Sequence, residues 1–323
     1  MLRTPLLALI VCAAAAAALA DPIVLEPTRV RLNAEDRAQD SVGRLRFLGG
    51  LELRSADPRF GGLSGLALGA AGRRLVAVSD AGFWFEAEIL ADDEGRLAGL
   101  ENATLSPMRG RDGAPLEGKR AGDAEAVERL GDSAYIVAFE RDHRLWRYDT
   151  AGGLAEANPF ELGPPPGLES APGNRGVEAL AVLGENRLLA ITEGALDPAG
   201  DLLGWLIEDG VASPLGYRLT PFFRPTDLAV LPSGEVLVLE RSFIPPASLA
   251  ARIRIIDAAD IAPGARLRGA EVAHLKPPTI VDNFEGLAVH RDGRGRTVLY
   301  LLSDDNYNAL QRTLLLKFEL VAE

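Results

Sequence analysis

The sequence predicts an all-β protein: a β-propeller of five four-stranded blades, closed by pairing its N-terminal and C-terminal strands. Three observations lead there. One phrase is written five times: an anchor residue, an apolar strand, a turn, a second apolar strand, then an acidic residue. The anchors Ser64, Glu125, Glu178, Asp227 and Glu285 lie 61, 53, 49 and 58 residues apart, a spacing that fits one supersecondary unit per repeat. The last repeat stops after three strands, while a spare strand, Arg44–Leu53, stands before the first. Joining the two in one blade leaves no open sheet edge to template aggregation.

Taken in order, residues 1–20 read as a secretory leader, with Arg3, an apolar run Leu6–Leu19 and Ala18-Leu19-Ala20 as a cleavage site before Asp21. The run is short and Ala-rich, and no later stretch approaches the roughly 18 apolar residues that span a bilayer, so stable membrane insertion after cleavage is not expected. The single cysteine, Cys12, lies inside the leader, so the exported chain has no disulfide and suits a periplasmic or secreted location. Residues 21–43 read as an N-terminal arm and 44–323 as one propeller domain. A sixth blade would require Ile23–Leu32 to add strands.

Four strands fit each repeat by alternation and length. Blade I takes Leu63–Leu68, Leu75–Ser79, Phe83–Leu90 and Leu97–Leu105; blade II takes Ala124–Leu130, Tyr135–Phe139, Arg144–Asp149 and a weaker Glu156–Leu162. Blade III takes Val177–Leu183, Leu188–Thr192, Gly204–Glu208 and Pro214–Leu219; blade IV takes Thr226–Leu231, Val236–Leu239, Arg252–Asp257 and Leu267–Leu275. Blade V takes Phe284–His290, Val298–Ser303 and Thr313–Leu320, completed by Arg44–Leu53. Helix is scarce, with one turn expected at Pro245–Ala251. The basic linker Ser106–Arg120 and the stiff Gly163–Gly167 precede inner strands and project from one face, where a rigid scaffold usually carries its binding groups.

Apolar residues make up 47% of the chain, ample for a core, and only 6% are aromatic, so small aliphatic side chains should dominate the packing. The net charge is −12, or −13 once the leader removes Arg3, which disfavours nucleic acid and anionic lipid as partners. A monomer acting on a small molecule is the expectation.

Strand direction alternates within a blade, so the start of the first strand and the finish of the second share a face. Glu125, Glu178, Asp227 and Glu285 should therefore ring the mouth of the channel, with Asp80, Glu140, Glu193, Glu240 and Asp304 just outside. Four carboxylates within about 10 Å raise one another's pKa or demand a cation. Arg141, Arg175, Arg224 and Arg241 stand close in sequence to meet part of that demand. Ca²⁺ suits the rest, with Asn283, Asn174 and Asn306 as further oxygen donors. No His/Cys spacing suits zinc. Recurrent acids can equally cap loops and hold blades together. Ser64 has no G-x-S-x-G context and no histidine placed to activate it. His143, His274 and His290 are scattered, and Trp84, Trp146 and Trp205 read as blade packing.

The motifs Gly-Gly-Leu-Ser64-Gly-Leu-Ala, Ala-Val-Ser-Asp80, Asp-Ala-Glu125, Ala-Phe-Glu140-Arg141, Arg224-Pro-Thr-Asp227, Leu-Glu240-Arg241, Val-Asp-Asn-Phe-Glu285-Gly and Leu-Leu-Ser-Asp304-Asp-Asn306 resemble the phytase-like domain, "esterase-like activity of phytase", over roughly residues 44–320. The resemblance implies phosphoester hydrolysis, a function inferred for the family from its repeated Glu and Asp. β-Propeller phytases use bound Ca²⁺ to hold phosphates and activate water, but no segment here matches their motifs, so no residue role transfers from them.

Together these readings lead to an exported hydrolase of phosphate mono- or diesters. Glu125, Glu178, Asp227 and Glu285, with Asn283, would hold the cation. Asp80, Glu140, Glu193, Glu240 or Asp304 would supply the base, and Arg141, Arg175, Arg224, Arg241 and Asn306 would hold the substrate. A non-catalytic propeller binding a cation or ligand and a calcium-dependent lactonase or carboxylesterase remain as alternatives.

Overall fold

The computed structural model describes residues 20–244 and 248–321; the expected leader up to residue 19 and the Pro-rich 245–247 lie outside them. Five blades form a closed ring, with no sixth among the described residues. The pairing is antiparallel except where Arg266–Leu267, at the expected start of the last strand of blade IV, adds parallel to Val211–Tyr217 at the edge of blade III. Their inner strands are Leu63–Leu68, Ala124–Leu130, Val177–Gly184, Arg224–Val230 and Phe284–Arg291. Ring closure is as expected: Leu45–Leu53 pairs antiparallel with Thr313–Leu320 inside blade V.

The lead-in lies along outer edges. Asp21–Pro22 adds to blade I, while Thr28–Val30 and Ser41–Val42 both pair with Leu45–Leu53 in blade V. Residues expected to make a helical turn at Ser248–Ala251 instead begin the strand Ser248–Ile256, which the long strand Val236–Ile244 extends by direct pairing. A five-residue helix, Gly118–Gly122, forms instead in the basic linker. Among the described residues no helix is long and apolar enough to cross a membrane.

Burial follows the aliphatic composition. The buried residues fall into five apolar clusters, one at each contact between neighbouring blades. The tryptophans belong to these seams: Trp84 meets Tyr148 edge-on at 5.2 Å, and Trp205 donates its indole N–H to the Pro166 carbonyl at 3.1 Å.

One irregularity recurs in every inner strand. The pairing with the second strand skips a single residue: Ser64, Glu125, Glu178, Thr226 or Glu285. A bulge of this kind re-aims a side chain out of the ladder. The next residue is small, because the neighbouring inner strand passes close beside it. A Cβ on Gly65 would stand 2.7 Å from the backbone nitrogen of Val127, and one on Gly286 2.6 Å from Leu66 Cβ. Blade IV alone has a large residue there, Asp227.

Candidate functional site

The bulges place Glu125, Glu178 and Glu285 at one mouth of the channel. Each is followed across the blade by an acid at the end of the second strand. The backbone N–H groups of Asp80, Glu140, Glu193 and Asp304 bond to the carbonyls of Gly62, Asp123, Gly176 and Asn283. In blade IV the corresponding pair is Arg224 and Arg241. The ring positions of blade IV are therefore Thr226 and Arg241, not Asp227 and Glu240.

Both of those acids, expected at the mouth, are engaged elsewhere. Asp227 accepts the N–H of Leu287 in blade V at 2.6 Å and that of Leu228 at 2.8 Å, which staples two inner strands. Glu240 is buried beneath the blade surface. It accepts the Tyr217 hydroxyl at 2.9 Å and pairs with Arg252 and, at 3.7 Å, with Arg254. Thr226 ties its hydroxyl to the Phe284 carbonyl at 3.1 Å.

Arg241 turns a carboxylate position into a cationic one. Its guanidinium donates to Asn283 Oδ1 at 2.7 Å and Glu193 at 3.2 Å, and lies 3.4 Å from Glu285. Asn283 passes its amide N–H to Glu285 at 2.9 Å, so it spaces charges instead of offering a free oxygen. Across the mouth, Lys119 on the short helix reaches Asp80 at 2.6 Å and Asp123 at 3.6 Å. Arg141, held at a positive φ of 58°, reaches the other oxygen of Asp123 at 2.6 Å. Arg175 is exposed on its loop and makes no ion pair among the described residues. Arg224 donates to the Phe223 carbonyl, and Asn306 sits exposed with its N–H on Asp304 at 2.7 Å.

The densest group is Asp123, Glu125 and Glu140, whose carboxylate oxygens lie within 4.8 Å of one another. Asp123 is buried, and its Oδ1 has no hydrogen-bond partner among the described residues. Burial lifts the pKa of Glu125 well above the usual range, and Glu285, Glu140, Asp123 and Asp80 add to the shift. Glu140 is pushed up to about 8, mainly by burial and despite an N–H bond from Gly176. Burial likewise raises Glu178 and Asp304, helped by Glu193 in the first and Glu285 in the second. It also raises Asp123 and Glu285, although Lys119 and Arg141 oppose it in one and Arg241 in the other. This many carboxyls with this few cations leaves a site that favours a proton or a metal ion.

Asp123, Lys119 and the ring place of Arg241 were missed from sequence. A shallow pocket of about 250 Å³ adjoins this rim between Asp80, Lys119, Asn306 and Tyr307. A larger one, about 580 Å³, opens between blades II and III under Pro164–Pro166 and is lined by no ring residue. Ser64 is buried with its hydroxyl 3.4 Å from the Gly62 carbonyl, and His143 leans on Pro172.

Similar architectures occur among solved structures. The β-propeller domain of Cps50 (Swd1) from Myceliophteria thermophila is 13% identical, with a TM-score of 0.40, covering 94% of this chain and all of that one. U3-55K is 11% identical, with a TM-score of 0.44, covering 93% of this chain and all of that one. XC5397 of Xanthomonas campestris, a gluconolactonase, is 12% identical, with a TM-score of 0.41 and coverage of 94% and 98%. No curated protein matches the chain. The family model "Esterase-like activity of phytase" matches residues 58–307, and the chain belongs to the Phytase-like family.

Proposed function

We propose that the mouth is the active site of a phosphoester hydrolase assisted by a divalent cation, with calcium the ion that its oxygen donors suit best. The observation that carries this is the Asp123–Glu125–Glu140 group, in which three carboxylates converge and the buried Asp123 Oδ1 has no hydrogen-bond partner among the described residues, with the Lys119 ammonium 3.6 Å away. The donor chemistry fits a hard cation, which takes carboxylate oxygens and has no need of His or Cys. Such an ion would neutralise phosphate charge and lower the pKa of bound water.

The rest falls to the chain's own residues. Arg141 and Arg175 grip phosphate oxygens at the rim, in pairs of parallel bonds where the geometry allows. Lys119 adds a point charge beside the cation group, held in place by Asp80. Arg241 keeps Glu193 and Glu285 in register. Asp304, whose pKa burial and then Glu285 raise well above the usual carboxylate range, is the group that donates a proton to the leaving oxygen. The same proposal takes a small phosphorylated molecule as substrate. It places a monomeric chain in the periplasm or outside the cell, on the leader-like residues 1–20.

Purified protein should be assayed against phytate, a glycerophosphodiester and bis(p-nitrophenyl) phosphate, with Ca²⁺ and with chelator. Calcium-dependent turnover of at least one is expected; silence with every divalent cation contradicts the proposal. A calcium-dependent rise in melting temperature without turnover identifies a binding propeller. Lactone turnover with silent phosphoesters identifies a lactonase.

A further inference from the structure

Several of the most exposed large apolar side chains lie around the mouth. Leu196 follows Glu193 and is 54% exposed; Phe243 follows Arg241 and is 66% exposed. Phe222 precedes Arg224 and is 68% exposed, and beyond Asp304 come Tyr307 at 45% and Leu310 at 91%. Strand direction puts all five on the mouth face, at the loop ends of blades III, IV and V. Phe222 and Tyr307 also hold positive φ values of 68° and 50°, a conformation that bulky side chains rarely adopt. Such backbone persists only where the surrounding structure over-determines it, and it concentrates at functional sites.

These side chains come from four separate segments: Leu196, Phe222 and Phe243 each from its own, and Tyr307 and Leu310 from the one loop between Thr297–Ser303 and Thr313–Leu320. A protein partner would need a contiguous, shape-matched patch, whereas a fluid acyl layer accepts separate anchors. The charges between them are complementary to a zwitterionic head group. Exposed Arg175, on the loop into the inner strand of blade III, and exposed Arg218, just past that blade's outer strand Val211–Tyr217, are available for a phosphate, and the acidic mouth offers a place for a quaternary or primary amine. A net charge of −12 disfavours a purely anionic surface.

We infer that blades III to V dock the mouth onto a membrane of zwitterionic phospholipid, and that the substrate of the proposed hydrolysis is the phosphodiester of a lipid head group. The second half rests on the proposed activity; the first does not. Water would attack the phosphorus, the ester bond to the glyceryl or head-group oxygen would break, and that oxygen would leave with a proton. No oxidant, reductant or other co-reactant is needed.

The native tryptophans are buried, so an indole placed at the rim reports its own surroundings. Full-length F243W and L310W are mixed with phosphatidylcholine vesicles carrying brominated acyl chains, with Ca²⁺ present. Both should lose most of the added emission relative to unbrominated vesicles. V211W, in the turn at the opposite end of blade III, should keep its emission. Equal emission of F243W with both vesicles, or equal quenching of V211W, overturns the docking inference. The variant F222S/F243S/L310S should leave turnover of bis(p-nitrophenyl) phosphate unchanged and lower release from vesicles about tenfold or more. Turnover of the soluble diester with F243W unquenched refutes docking alone. Quenching without turnover of either substrate supports docking and refutes the hydrolytic proposal. Loss of self-association in the triple variant, with no quenching in F243W, makes the rim an interface between copies and overturns the inference.

Discussion

At Asp227 both carboxylate oxygens receive backbone N–H groups, one from its own strand and one from the next blade. This acid is structural, and its removal should read as lost stability. Asp227→Asn replaces one acceptor with a donor facing an N–H, and should cost about 1–3 kcal/mol in urea unfolding while leaving turnover per folded molecule intact. Loss of turnover at unchanged stability would return Asp227 to the site. Glu128, three residues beyond Glu125, carries a different signature: burial pushes its pKa up to about 8 from an ordinary 4.5. The folded chain holds this proton more tightly than the unfolded chain. Its stabilising effect is therefore complete below 4.5 and is withdrawn as pH rises toward 8, at up to about 1.4 kcal/mol per pH unit. Glu128→Gln should be more stable than the parent at pH 8 and nearly equal to it at pH 4.5. Chemical denaturation at the two pH values checks this, and an identical difference at both would contradict it.

At the scale of the element, the bulge and the small residue after it set the geometry of the mouth. Gly286→Ala brings a Cβ to 2.6 Å from Leu66 Cβ, so the contact between blades V and I must open. A cost of about 1–3 kcal/mol is expected, measured by urea unfolding. The strands themselves were legible because short apolar runs separated by Gly/Pro turns repeat with one period. The ring was legible in four blades and misaligned in the fourth. Asp227 and Glu240 drew attention as the acids nearest the expected positions. The Leu-Ala pair shared by Leu66-Ala67, Leu180-Ala181, Leu228-Ala229 and Leu287-Ala288 gives the right register, with Thr226 on the bulge. Counting five residues from Leu75, Tyr135, Leu188, Val236 and Leu299 reaches Asp80, Glu140, Glu193, Arg241 and Asp304. The arginine was thus in plain view. Lys119 was not, because its place depends on how a long linker folds back over the rim.

For the whole molecule, closure carries the fold. Without disulfides in the described residues, the ring depends on Leu45–Leu53 pairing with Thr313–Leu320. A chain ending at residue 312 should expose an unpaired strand on each side and lose its cooperative thermal transition, as circular dichroism would show. A sharp transition retained in that variant would mean that the five blade contacts suffice without the pairing. Closure also gathers acids from separate blades against few cations, a charge balance that a cation at the mouth would restore. Calorimetric titration of Ca²⁺ into the chelator-treated protein tests it most directly. Wild type should bind with a saturable heat, Asp123→Asn should bind on the order of 10–100-fold more weakly, and Asp227→Asn should bind like wild type. Absence of heat in wild type, or equal affinity in Asp123→Asn, would contradict a cation held at this mouth.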